Sequence, residues 1–575
     1  MTDSETNYWK RAASQQVSRR SVVGGAAALG AVGLIGAGCG GDDSAGQNSS
    51  SNSNRTPESR IGTPTSKKPK QGGALVIRVA TDPPNWSVFT ASANTAPFAN
   101  LAYNKLIRMK SGAGVEPGEV TLEADLASAL PENPDPLTLL FKLRPGVKFQ
   151  NVAPVNGREM TAEDVKTAID LYRSDTRSAM RADNAVIDAV DAVDATTVRV
   201  RLKQPSVPLL GISGGHYGWR IFPKELLEGD LLQSKAIGTG PYIVDSYVPS
   251  SKASYRRNPD YFRPGQPYFD KVTLAIVPEA SSAIASFQTS QVDVLGAVDC
   301  INSEQLRAQR KDAKFQQLLS ADPGGYIAMD TTKPPFSDVR VRRALSMAFN
   351  RKAESDALEC GAGKPDQLIP TGAYDKAVPI SQLGDAAKYW QYNPTEAKRL
   401  LAEAGFADGF ETPMVYTPQY GANYQSSAER AIADFAAVGI KVKPQSIQYN
   451  EWIGSLYRPP FKFEGILWGP RRYYTDVDPY IWYWLHPDPK QGISNQSRIN
   501  DPALLPLLEK QRGQFVEKER LQTIGEIQKI VAEQQYYIGR TTGNAYSFWA
   551  PWLEGWGSTL AYDLPQVESA WDGRL

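Results

Sequence analysis

The sequence predicts an α/β protein divided into two or three lobes, and three observations carry that reading. At 575 residues the chain is longer than one hydrophobic core ordinarily serves. Residues 414–416, 428–438 and 440–444 read as strand, helix and strand, a βαβ unit that belongs in a parallel sheet. Short strands and capped amphipathic helices follow one another from residue 74 onward with no fixed-period repeat, which disfavours a solenoid or a propeller. Charge is nearly balanced, 63 Lys and Arg against 62 Asp and Glu for a net +1. No whole-chain field draws nucleic acid, so no nucleic-acid partner is expected.

Residues 1–39 read as an export signal. Arg19-Arg20 are the twin arginines of Tat export, residues 21–38 are uncharged and rich in Ala, Gly and Val, and Gly36-Ala37-Gly38 set small residues before Cys39. The run is short and Gly-rich for a membrane span, which takes about twenty apolar residues. It is therefore read as a cleaved signal with a lipobox, Cys39 taking the lipid and becoming the mature N-terminus; an uncleaved anchor helix is the other reading. Residues 40–73 are mostly Ser, Asn, Gly, Asp, Thr, Pro and Lys. Such a stretch buries too little surface to offset its ordering entropy, so it is expected to be a flexible tether. The folded part is then extracytoplasmic and lipid-anchored to the cell membrane.

A β-rich strand over residues 74–80 lies between Gly72-Gly73 and the breaker Asp82-Pro83-Pro84. Residues 139–149 read as strand, turn and strand. Thr161-Ala162-Glu163-Asp164 opens a helix with a capping box, and Val165, Ala168, Ile169 and Tyr172 fall on one face. Residues 198–202 alternate as a strand. Gly238-Thr239-Gly240-Pro241 is a rigid bend, its glycines permitting angles that side chains forbid, and it leads into a strand over 242–247. Lys333-Pro334-Pro335 precedes a helix capped by Ser337 or Asp338 that buries Val341, Ala344, Leu345 and Ala348 and turns its arginines to solvent. Asn393 caps the next helix, Pro394 sits in its first turn, Glu396 completes the box and Gly405 stops it. Residues 516–538 read as a long helix, and 548–553 bring the chain back to the first lobe.

Several of these stretches, in this order, resemble the family 5 solute-binding proteins of bacterial ABC importers, the oligopeptide, dipeptide and nickel group. The resemblance rests on Leu143-Arg144-Pro145-Gly146-Val147-Lys148-Phe149 before the Thr161 helix, on Gly238-Thr239-Gly240-Pro241-Tyr242 and on Arg257-Asn258-Pro259-Asp260-Tyr261. It continues through Asp270-Lys271-Val272, Gln291-Val292-Asp293, the run from Pro334 to Leu345 and the helix opened by Asn393, and it covers nearly all of the chain after Gly72. It implies an α/β, two-lobed periplasmic-binding-protein-like fold (type II, cluster C) with an extra subdomain inserted in lobe I. Lobe I is then 74–325 and 540–575, with the insertion at about 110–205, and lobe II is 326–539. The implied function is capture of a small solute, most simply a peptide, in an inter-lobe cleft and its delivery to a permease and ATPase complex, with no chemistry by this chain. An oligosaccharide is the alternative ligand, and nickel is disfavoured by a total of two histidines.

Residues 463–480 are the most chemically loaded passage. An apolar strand ends at Trp468, Gly469-Pro470 break it, and the loop carries Arg471, Arg472, Tyr473, Tyr474, Asp476 and Asp478. Loops at strand ends are where α/β sheets collect ligands. By the resemblance this segment lies in the cleft, the tryptophan packing on the ligand and an aspartate, for which Asp476 is nearest, pairing with a peptide's amino terminus. Candidate ligand-binding residues are thus Trp468, Arg471, Arg472, Tyr473 and Asp476, with Trp86 from the loop after the first strand. Structural roles compete. Trp86 also suits a packed loop aromatic, and the arginines can serve Asp476, Asp478 and Glu464 instead. Ile481-Trp482-Tyr483-Trp484-Leu485 reads as a buried helix or strand edge.

Catalytic signals are sparse. Gly211-Ile212-Ser213-Gly214-Gly215 matches G-x-S-x-G with His216 beside it, so a secreted serine hydrolase is the rival class. A nucleophile elbow needs a strand before the serine and a helix after it, and neither is evident. No HExxH, EF-hand loop or CxxC pair occurs, so neither metal nor cofactor is expected. Cys300 and Cys360 lie on opposite sides of the lobe boundary, where oxidation outside the cytoplasm would restrain the hinge.

Overall fold

The computed structural model describes residues 67–90, 94–112, 115, 121–319, 325–370, 377–471, 474, 476–557 and 564–575. The export signal, Cys39 and most of the tether lie outside the described residues. The first lobe opens with β1 (Ala74–Val79) and passes through β2 (Thr138–Lys142), α1 (Ala162–Ser174), β3 (Ile187–Asp194), β4 (Thr197–Leu202) and α2 (Pro208–Gly214). It continues with β5 (Tyr242–Val248), β6 (Lys252–Arg257), β7 (Lys271–Ile276), β8 (Val294–Val298), α3 (Cys300–Gln309) and β9 (Lys314–Leu319). The second lobe begins with β10 (Tyr326–Met329), α4 (Val339–Ala348), α5 (Arg351–Leu358), α6 (Pro394–Glu403), β11 (Phe410–Tyr416), α7 (Ala422–Ala436) and β12 (Ile440–Ser446). It ends with β13 (Ile466–Gly469), α8 (Asp478–Leu485), α9 (Leu504–Arg512), α10 (Glu517–Gln534) and β14 (Tyr537–Gly539), after which β15 (Asn544–Trp549) returns to the first.

Each lobe is organised on its own sheet. In the first, seven strands run in the order β9-β15-β8-β1-β7-β6-β5, with β1 parallel to both neighbours and β15 antiparallel to both of its own. In the second, the order is β12-β11-β13-β10-β14; the βαβ unit expected from residues 414–444 is the parallel pair β11 and β12 joined by α7. A third sheet, β2-β4-β3, packs with α1 in the first lobe's core.

Local chemistry explains most boundaries. The Asp164 carboxylate accepts the Thr161 amide at 3.0 Å, closing the box that starts α1, and the inward face of that helix is Val165, Ala168, Ile169 and Tyr172. Asp338 accepts the Arg340 amide at 2.8 Å and Asn393 that of Glu396 at 3.0 Å, starting α4 and α6. In the long C-terminal helix, Gln535 turns left-handed and residues 537–539 pair with β10, so α10 ends short of the 538 expected from pattern alone. Arg342 also departs from expectation. It is buried and donates to the carbonyls of Gln534 at 2.9 Å and Phe336 at 2.8 Å, because α4 packs beneath the end of α10.

The Gly238–Gly240 bend is glycine-rich for a different reason than expected. Neither residue has positive φ. A Cβ on Gly238 would lie 2.5 Å from the Ala102 carbonyl oxygen and one on Gly240 2.3 Å from the Ala102 carbonyl carbon, so close backbone approach is what demands glycine. The loop after residue 149 finds its role here, since buried Gln150 donates Nε2–H to the Tyr242 carbonyl at 2.8 Å.

The lobes are joined three times. The chain crosses between β9 and β10 and again between β14 and β15, and a disulfide links Cys300 at the start of α3 to Cys360 just beyond α5. Half-buried Glu359, beside that bond, accepts the Asn544 amide; burial, reinforced by the Glu354 carboxylate, pushes its carboxyl up to about 7 from an ordinary 4.5. Between those values the folded chain binds more protons than the unfolded one, so this group's contribution to stability falls as pH rises from about 4.5 to about 7. Urea midpoints taken across pH 4.5 to 7 should show that decline, and Glu359→Gln should flatten it.

Candidate functional site

The site is built at the end of β13. Trp468 and Gly469 finish that strand, Gly469 pairs with Tyr326 at the start of β10, and Tyr326 pairs with Gly539 at the end of β14. Both crossings to the first lobe leave from this same edge, one before Tyr326 and one after Gly539. The carboxyl end of β13 therefore faces the first lobe. Contact is direct: the Val207 amide, just ahead of α2, donates to the Arg512 carbonyl at 2.9 Å, and a Cβ on Gly211 would sit 3.3 Å from Cβ of Asp476.

Trp468 is fully buried. The Arg540 guanidinium lies 4.3 Å from its ring centroid, Phe349 meets it edge-on, and its carbonyl accepts the Tyr424 hydroxyl. Arg471 has no exposed side-chain surface. Its Nη1 faces Asp366 at 3.3 Å and donates to the carbonyls of Leu368, at 3.0 Å, and Gln367, while Nε and Nη2 have no hydrogen-bond partner among the described residues. Asp476 is gripped from below by Arg520, whose Nη2 and Nη1 donate to its two oxygens at 2.6 and 3.0 Å. Asp478 is held the same way by Arg512, at 2.8 and 2.7 Å, with Gln511 donating as well. Both carboxylates of the loop are thus committed to arginines of α9 and α10.

Trp86 is not part of this cluster. Its ring packs edge-on to Phe98 and Tyr247 and its amide donates to the Gln233 carbonyl, all within the first lobe. Arg472 and Tyr473 lie outside the described residues. The expectation of a buried segment over 481–485 is met by α8, every residue of which is buried.

Sequence reasoning missed the supporting groups. Tyr326, Asp366, Arg540, Arg512 and Arg520 converge from five separate segments, and no spacing links them. One signal was available for Arg520: it falls one helical turn before Ile524 and two before Ile527 on the apolar stripe of α10, an inward position that a lone arginine occupies only with a buried partner.

Residues 121–492 match the model of bacterial extracellular solute-binding proteins, family 5. The chain belongs to this family, and it is the substrate-binding component of an ABC importer. Heme-binding protein A of Haemophilus influenzae is 27% identical over 493 residues, covering 80% of this chain and 85% of that one. Di/tripeptide-binding protein 2 of Pseudomonas aeruginosa is 28% identical over 482 residues, covering 79% and 85%. The periplasmic binding protein DppA of Helicobacter pylori, solved with the peptide STSA, superposes with a TM-score of 0.74 at 20% identity over 88% of this chain and 99% of its own. These likenesses agree with the two-lobed α/β fold. Among the described residues no helix is long and apolar enough to cross a membrane, and no cluster of His, Cys, Asp and Glu is arranged to hold a metal.

Proposed function

We propose that this chain captures a peptide between its lobes and hands it unaltered to a membrane permease, tethered to the membrane through a lipidated Cys39 after Tat export. The observation that carries the reading is the placement of the β13 end towards the first lobe, with Val207 and Gly211 of that lobe meeting Arg512 and Asp476 beside it. A guest that touches both lobes does so fully only when they are closed, so binding favours the closed form, the one the permease reads. In this reading Trp468 and Arg471 form the floor of the site, Arg472 and Tyr473 are further candidate ligand contacts, Asp476 orients the loop, and Trp86 braces the first lobe. Ser213 supports a binding rather than a hydrolytic role: it lies inside α2, not at a strand-to-helix turn, and its buried hydroxyl donates to the Leu210 carbonyl at 3.0 Å.

The test is a melting-temperature screen of the mature chain against short peptides and, in parallel, cello- and xylo-oligomers. A ligand at a hundred times its Kd stabilises the fold by about 2.7 kcal/mol. Peptides should raise the melting point and sugars should leave it unchanged. The reverse pattern would transfer the assignment to oligosaccharides.

A further inference from the structure

We infer that the end of β13 recognises a carboxylate on the ligand, and that Arg471 is the group that binds it; this rests on the peptide-capture reading above. Among the described residues, the hydrogen-bonding capacity left at this edge is mainly donor capacity. Asp476 and Asp478, the two acids of the loop, are each clamped by a guanidinium fork and offer nothing to an ammonium group. Arg471 uses Nη1 alone, leaving Nε and Nη2 buried without an acceptor among the described residues. Two neighbours repeat the pattern. The Trp484 ring lies 5.8 Å from the Arg471 guanidinium carbon with Nε1 unpartnered, and Tyr326 packs on Trp484 at 4.3 Å with its hydroxyl unpartnered.

Buried donors of this kind cost stability unless something accepts from them. Nε and Nη2 form the side of a guanidinium that meets a carboxylate through two parallel bonds. An acceptor supplied by the guest, arriving while the lobes are apart, satisfies Arg471 and adds to the closed state what the empty chain lacks. A peptide would therefore lie with its C-terminal carboxylate at β13, and an N-terminal ammonium would find the described acids there, Asp366, Asp476 and Asp478, each already paired with an arginine.

The probe is an equimolar mixture of tetrapeptides lacking Asp and Glu, prepared as free acids, as C-terminal amides and as N-acetylated free acids, each titrated into the full mature chain. Free acids and N-acetylated acids should bind alike, and amidation should raise Kd about 10- to 100-fold. Arg471→Lys, which keeps a cation beside Asp366 but lacks the planar fork, should weaken free-acid binding and narrow the gap between acid and amide. Amides that bind as tightly as acids, or N-acetylation that abolishes binding, would overturn the inference while leaving peptide capture intact. If no form binds, peptide capture fails and the inference fails with it. The comparison of acid with amide needs only the unmodified chain, so it decides even if the variant does not fold.

Discussion

Asp476→Ala should cost about 3–5 kcal/mol of stability, because it leaves the Arg520 guanidinium buried without its counter-charge. Both side chains are almost wholly enclosed, 4% and 1% exposed, so solvent cannot compensate the survivor. Arg520 retains its bond to the Gln511 side chain at 3.1 Å, which softens the loss without neutralising the charge. Removing both partners should be milder than the sum of the single changes, since neither charge is then stranded, and a double-mutant cycle in urea reads that coupling. The exposed pair of Arg399 with Glu396 is the control: at 54% and 33% exposure it competes with water, and Glu396→Ala should cost no more than about 1 kcal/mol. Equal effects at the two sites would contradict the view that the loop carrying Arg471 is fixed from beneath by α10.

Removing the cross-lobe disulfide should be nearly as costly. Cys300 and Cys360 are 60 residues apart in sequence, and releasing a loop of that length returns entropy to the unfolded chain worth about 2–4 kcal/mol. The double variant Cys300→Ser, Cys360→Ser should melt lower than the parent under non-reducing conditions. Adding reductant should lower the parent towards it and leave the variant unchanged. Because the bond joins α3 to the segment after α5 beside the two chain crossings, its loss should also widen the spread of lobe orientations without removing the binding surface.

Much of the fold was legible in advance because it is encoded locally. The Thr161 and Asn393 caps and the parallel pair around α7 depend on residues close together in sequence and form as their patterns require. The Glu396 carboxylate expected to complete the Asn393 box, however, pairs with Arg399 instead, the Asn393 amide donating to the Met347 carbonyl. What escaped was set by tertiary contact. Residues 537–539 look helical in isolation and become a strand because β10 offers an edge. Arg342 looks like a solvated side chain and is drawn inward by carbonyls 192 and 6 residues away. The candidate site divides the same way. The loop after Trp468 stood out by composition, but which of its charges remain available was decided by Arg520, Arg512 and Asp366, and those arrive from more than thirty residues away.

The central claim, that the two lobes close on a guest, is tested most directly by the distance between them. Val248 in the first lobe and Tyr392 in the second are both well exposed, at 48% and 45%, and accept spin labels through cysteine without disturbing either core. Double electron–electron resonance should show a broad distance distribution in the empty chain that narrows on addition of saturating tetrapeptide free acids. A distribution that stays the same while those peptides demonstrably bind would contradict the account.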